Sequence, residues 1–206
     1  WKADLGHRYD RMLTDVRANP REGKILSDQG FMTLDPTFDP DGKRVALLSN
    51  EGSDYATTSL YLVDRDGKNF KEVEDGVSSR AVFSPDGATL LYAKHTRSDV
   101  YGARLSDLYT YSIATKKEKR LTHKLRAAEP QWSPDGRTIV CVLNRDGTHR
   151  LAVMNADGSG VREIRAGVGG VQLYSPQYSP DGSRILFGIF QSGTREVASI
   201  ASDGSD

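Results

Sequence analysis

The chain has 206 residues, and its 28 Lys and Arg balance 28 Asp and Glu, so the formal net charge at neutral pH is zero. A balanced chain offers no electrostatic pull toward nucleic acid or an anionic membrane surface, so neither is expected as a partner. No apolar run reaches the roughly 18 residues a membrane-spanning helix needs, and the length suits one substantial core or a domain with an appendage.

Residue 1 is Trp rather than Met, which reads as a processed or partial chain. Trp1, Leu5, Tyr9, Met12, Leu13 and Val16 recur at helical spacing with charged residues between them, predicting an amphipathic N-terminal α-helix. Asn19-Pro20 ends it, because the residue before proline is pushed out of the helical region. Lys24-Ile25-Leu26 then resembles the closing strand of a repeat unit. Residues 1–33 are therefore read as a helix and lead-in strand that either pack on the propeller or belong to the end of an upstream domain.

From there the sequence repeats. Phe38-Asp39-Pro40-Asp41-Gly42 returns as Phe83-Ser84-Pro85-Asp86-Gly87, Trp132-Ser133-Pro134-Asp135-Gly136 and Tyr178-Ser179-Pro180-Asp181-Gly182, with prolines 45, 49 and 46 residues apart. Three copies carry another proline two residues ahead (Pro36, Pro130, Pro176), a detail that Ser79-Arg80-Ala81 breaks. Behind each block comes an apolar run, such as Leu90-Leu91-Tyr92-Ala93 or Ile139-Val140-Cys141-Val142. A second strand-like stretch follows, then an Asp-Gly turn in three copies (Asp66-Gly67, Asp157-Gly158, Asp203-Gly204) and Thr115-Lys116-Lys117 in the other.

Proline pre-sets a turn, Asp bonds its own backbone and Gly accepts positive φ. Apolar runs between such turns predict strands buried on both faces. Four strands in about 45 residues is the size of one propeller blade, and a unit that small cannot bury a core alone. The expected fold is all-β: a partial β-propeller of about four four-stranded blades (34–75, 76–125, 126–170 and an incomplete 171–206) after the N-terminal helix. A partial ring leaves a blade flank open at each end, so self-association through open blade edges is expected unless the helix covers a flank.

The blocks, with their aromatic-Ser-Pro-Asp-Gly core, resemble the TolB-type propeller repeat over residues 34–206. The resemblance implies a propeller of six to eight blades in the family. It also implies an exported setting, periplasmic or extracellular, although the cysteine usage leaves the cytoplasm open. It is compatible with TolB-like proteins and with propellers attached to prolyl-oligopeptidase-type hydrolases. The opening segment, with Trp1, Tyr9 and Gly23-Lys24-Ile25-Leu26, is similar to the junction after a gluzincin-type metallopeptidase, which would place any catalytic domain outside this chain.

No catalytic set is legible: there is no Gly-x-Ser-x-Gly elbow, phosphate loop, Gly-x-Gly-x-x-Gly or His-Glu-x-x-His. Gly167-Val168-Gly169-Gly170 falls between blades, without the helix a phosphate site requires. His7, His95, His123 and His149 are too scattered for a metal motif. Asp64-Arg65-Asp66-Gly67-Lys68-Asn69 hints at calcium but lacks the distal Glu of a complete loop, so no cofactor is expected. The lone Cys141 lies in an apolar run and reads as a small core residue.

Binding on repeat scaffolds sits in variable loops. The tight Pro-Asp-Gly and Asp-Gly turns lie on one face of the disc; the second-to-third-strand loops and the connections between blades lie on the other. The most irregular loop, expected over 95–106, offers His95, Arg97, Asp99, Tyr101 and Arg104. Asp54 and Tyr55 stand in the equivalent loop of the first blade, and Arg126 and Glu129 in the connection after the second. These nine residues are the candidate contacts for a protein or peptide partner. A ligand-binding or lyase propeller with its site in the central channel would need charge on the innermost strands; Arg80, Glu129 and Gln131 lie near them, but three residues do not make a site. Two functional classes follow: a non-catalytic partner-binding propeller, or a substrate-gating accessory domain of a larger hydrolase.

Overall fold

The computed structural model describes residues 9, 10, 14, 18, 23–27, 30, 32–51, 57–96 and 105–205. They form a four-bladed β-propeller. The first blade is β1 (Thr33–Phe38), β2 (Arg44–Ser49), β3 (Ser59–Asp64) and β4 (Lys71–Glu74). The second is β5 (Val82–Phe83), β6 (Thr89–Thr96), β7 (Leu105–Ser112) and β8 (Lys117–Arg120). The third is β9 (Ala127–Trp132), β10 (Thr138–Arg145), β11 (Thr148–Asn155) and β12 (Arg162–Ala166). The fourth sheet has three strands, β13 (Gln172–Tyr178), β14 (Arg184–Gln191) and β15 (Thr194–Ala201). Every sheet is an antiparallel meander in chain order.

The apolar runs are continuous because alternate residues of one strand face different blades. In β10, Ile139, Cys141 and Leu143 join Leu91 and Leu108 in the core between the second and third blades. Val140 and Val142 of the same strand join Ile185 and Phe187 in the core between the third and fourth. Ala46, Leu48, Leu60, Leu90 and Tyr92 fill the space between the first and second. Cys141 is fully enclosed, and burial pushes its thiol up to about 12, which suits an inert core group.

The repeated tetrapeptide is a closed hydrogen-bond unit. In the second blade the Gly87 N–H donates to the Ser84 carbonyl at 2.8 Å, and Gly87 holds φ at 69°. The Ser84 hydroxyl donates to Asp86 Oδ1 at 2.5 Å and accepts the Thr89 N–H at 3.0 Å. Ser133-Asp135 and Ser179-Asp181 repeat the pattern. The first blade has Asp39 in place of serine, and its buried carboxylate takes the N–H groups of Lys43 and Arg44 and the Arg44 guanidinium.

The ends of the array differ. On the first blade, Val45, Leu47, Tyr61 and Val63 form a fourth core with Leu26 and Phe70, so that flank is covered. On the fourth blade, Leu186, Phe190 and Val197 stay exposed, with Val197 at 75 %. Only one of the two expected open flanks is therefore open. Lys24–Leu26 is not in a strand, because among the described residues no sheet lies beside it to pair with. It nevertheless occupies the place of an outer strand. Lys24 Nζ donates to the Asp66 carbonyl as Arg162 donates to that of Asp203, and Leu26 lies by Gly67 as Ile164 lies by Gly204.

Of the predicted N-terminal helix, Tyr9, Asp10, Thr14 and Ala18 are helical and exposed; Trp1, Leu5, Met12, Leu13 and Val16 lie outside the described residues. The irregular loop of the second blade is shorter than expected. His95 and Thr96 pair with Ser106 and Leu105, since the β6–β7 hairpin continues and Thr96 Oγ1 donates to the Leu105 carbonyl. Its counterpart in the third blade closes in the two left-handed residues Asp146 and Gly147, a tight hairpin turn.

Candidate functional site at the centre of the propeller

The innermost strands β1, β5, β9 and β13 line the middle of the molecule, and two clefts open there. Phe38 pairs with Val45 beside the Pro-Asp-Gly turn, whereas Thr33 pairs with Ser49 beside the β2–β3 loop. One end of each inner strand therefore faces the uniform turns and the other the variable loops.

At the turn end, a cleft of about 410 Å³ is lined in every blade by the same chemistry: an aromatic residue and the motif proline. Two of those aromatics serve the joints between blades. The Arg44 guanidinium lies 5.8 Å from the Phe83 ring centre, and the Tyr178 hydroxyl is 3.0 Å from Thr138 Oγ1 on the preceding blade. Phe38 is exposed, but four walls of equivalent chemistry give a ligand little to choose between.

The loop end differs. A cleft of about 390 Å³ is lined by Asp35, Ser78, Ser79, Arg80, Glu129, Ser175 and Gln177, with Pro130 and Pro176. Asp35, Arg80, Glu129 and Ser175 each stand five residues before the motif proline of their blade. Equivalent positions thus carry four different chemistries around one cleft. In three of them the strand bulges: the register slips between Leu34 and Thr37, opposite Val140 and Val142, and between Tyr174 and Gln177. Asp35, Glu129 and Ser175 adopt left-handed φ of 52°, 51° and 50°, and each is followed by a proline, which has no N–H to leave unpaired. Non-glycine residues held in that region carry backbone strain.

Glu129 Oε2 accepts the Ser175 N–H, tying the bulges of the third and fourth blades together. Ser79 is committed to the backbone, accepting the Ala93 N–H at 2.9 Å. The side chains of Asp35, Arg80 and Gln177 have no hydrogen-bond or ion-pair partner among the described residues.

Of the nine predicted contact residues, Asp54, Tyr55, Arg97, Asp99, Tyr101 and Arg104 lie outside the described residues. Glu129 lines the polar cleft. His95 lines a smaller one of about 240 Å³, which adjoins it through the shared Asp35 and Ser78. Arg126 is exposed at the end of the β8–β9 connection with φ of 54° and lines neither. Asp35, Ser175 and Gln177 were not singled out by the sequence, although Pro36, Pro130 and Pro176 pointed to their bulges.

Residues 10–204 match the TolB beta propeller domain family. The chain belongs to that family. Among curated relatives, an uncharacterised protein of Agrobacterium fabrum is 30% identical over 154 residues, covering 72% of this chain and 49% of its own length. A TolB homologue of Chlorobaculum tepidum is 28% identical, covering 62% of this chain and 28% of itself. The uncharacterised peptidase YuxL of Bacillus subtilis is 32% identical over 84 residues, 40% of this chain and 13% of that one. The chain therefore spans about half the length, or less, of these relatives. Among solved structures, a candidate TolB of Agrobacterium tumefaciens superposes with a TM-score of 0.73 at 25% identity, covering 87% of this chain and 66% of that one. Puromycin hydrolase shares the fold alone, with a TM-score of 0.64 at 18% identity over 88% of this chain and 29% of the other.

Proposed function

We propose that this TolB-type module is a non-catalytic binding domain that takes a protein or peptide partner at the polar end of its central cleft. The observation that carries the reading is the inequality of Asp35, Arg80, Glu129 and Ser175, four equivalent positions on a scaffold that elsewhere repeats itself. Rigid repeats with one variable, charged concavity suit recognition. Asp54, Tyr55, Arg97, Asp99, Tyr101 and Arg104, outside the described residues, stay candidate contacts from the sequence, and an exported setting accords with the family. The test is selection of random dodecapeptides on the immobilised chain. Enrichment of related sequences that soluble chain competes away is the expected result; a pool that stays unenriched overturns the reading.

A second reading, a gating domain of a larger peptidase, is favoured by the 32% identity to YuxL. The reading frame around the 206 codons separates the two, since a peptidase motif beside the propeller would select the second.

A further inference from the structure

We infer that Arg80 is the carboxylate receptor of the central cleft, so that the peptide taken there is recognised through a carboxylate. The inference rests on the peptide-binding reading above and names the chemistry of its ligand.

Arg80 is half-buried in the cleft wall, and its side chain has no ion pair or hydrogen bond among the described residues. Two carboxylates share the cleft, Asp35 and Glu129, yet neither pairs with it, and Glu129 is engaged by the Ser175 N–H. Other part-buried cations in the propeller are engaged, Arg165 by the Phe187 ring 5.3 Å away and others by carboxylates. Lys94 lies 2.9 Å from Glu74 and 3.2 Å from Glu118, and Arg120 lies 2.5 Å from Asp107. A half-desolvated guanidinium left without a partner gains most from an incoming anion, and its planar fork matches a carboxylate with two parallel hydrogen bonds. Arg80 is also the one inner position of the four outside the bulge pattern: it is followed by Ala81 rather than proline, and its φ is not left-handed. The two acidic neighbours make the site selective. A bare anion meets Asp35 and Glu129 and is repelled, whereas a peptide that places an amine or Lys beside its carboxylate satisfies both signs. Gln177 supplies an amide donor and acceptor for the peptide backbone.

The experiment uses dodecapeptides selected on the full chain, with affinities read by fluorescence anisotropy against wild type, Arg80→Gln and Arg80→Glu. Arg80→Gln is expected to weaken binding at least about tenfold, and Arg80→Glu further, with thermal unfolding unchanged because no protein partner is lost. Amidating the peptide C-terminus and replacing its Asp or Glu by Asn or Gln locate the carboxylate; loss in either arm supports the assignment. Peptides that bind wild type and both variants alike overturn it while leaving the peptide-binding reading intact. Peptides indifferent to removal of every carboxylate overturn it as well. A chain that selects no peptide fails at the earlier step.

Discussion

The Pro40 ring lies against Gly87 on the next blade: a Cβ built on Gly87 would stand 3.3 Å from Pro40 Cδ. Pro85 meets Gly136 in the same way at 3.4 Å, and Pro134 meets Gly182 at 3.5 Å. The Pro-Asp-Gly turn is thus both a hairpin closure and the inner bearing of each joint between blades. Its proline sets a backbone angle and also supplies a contact surface.

Gly42 and Gly87 share φ of 69°, but among the described residues nothing lies within 4 Å of a Cβ at Gly42. Gly42→Ala is expected to cost about 1 kcal/mol through left-handed strain, and Gly87→Ala about 1 kcal/mol more through the clash with Pro40. Urea unfolding of the two variants in dilute solution checks this. Equal losses would show that the joint does not depend on the contact.

Asp107 on β7 is fully buried and organises the connection to the third blade. It accepts from Arg120, from Thr122 Oγ1 at 2.7 Å, and from the Lys124 and Leu125 N–H groups at 2.9 and 3.0 Å. Asp107→Ala leaves the buried Thr122 hydroxyl and three part-buried donors without their acceptor and is expected to cost about 3 kcal/mol. The solvent-exposed pair Asp41–Lys43 is expected to matter far less, because water screens it. Chemical denaturation of Asp107→Ala and Asp41→Ala ranks the two, and a cost for Asp107→Ala below 1 kcal/mol would contradict the structural role.

How much of this was legible? The four repeats showed openly, because one turn chemistry serves four blades and every blade needs apolar residues on both faces. The cleft showed only in part: Arg80 and Glu129 stood out near the innermost strands, but Asp35 and Ser175 look like ordinary polar residues until a bulge and a left-handed angle place them at the centre. Their following prolines were visible, but a proline in a strand does not state which neighbour it aims inward. Asp107 was hidden for a related reason. Its partners lie 13 to 18 residues along the chain, beyond any local pattern. The open flank was half right: sequence alone could not show that Leu26 and Phe70 complete the core against the first blade.

The turn carboxylates make acid the natural denaturant. Ser hydroxyls and backbone N–H groups hold Asp86 and Asp135 below the usual value of 3.8, and the Ser179 hydroxyl with the Ser183 N–H draws Asp181 down to about 2. A carboxylate whose pKa is lower in the folded chain adds stability above the unfolded value, and that stability is lost as pH falls through the folded one. The melting temperature is therefore expected to hold between about pH 7 and 5 and to fall from about pH 4 toward 2. Replacing Asp86, Asp135 and Asp181 together by Asn should flatten that fall. A triple variant as acid-sensitive as wild type would place the effect elsewhere.

The bare flank of the fourth blade predicts concentration-dependent self-association. Val197 is 75 % exposed and Leu186 47 %, and among the described residues β15 pairs only with β14. An apolar face with an unpaired edge is what natural sheets avoid leaving open. Sedimentation velocity should show wild-type chain associating as concentration rises, and Leu186→Lys with Val197→Lys shifting it toward the single-chain species. A wild-type chain that stays single at high concentration would show the flank to be harmless.

The central claim is that recognition takes place at the loop end of the cleft, and hydrogen exchange with a selected peptide bound tests it most directly. Slowed exchange is expected at the inner-strand ends around Asp35, Arg80, Glu129 and Ser175, and in the adjoining segment at His95. Protection confined to the Pro-Asp-Gly turns, around Gly42, Gly87, Gly136 and Gly182, would contradict the account.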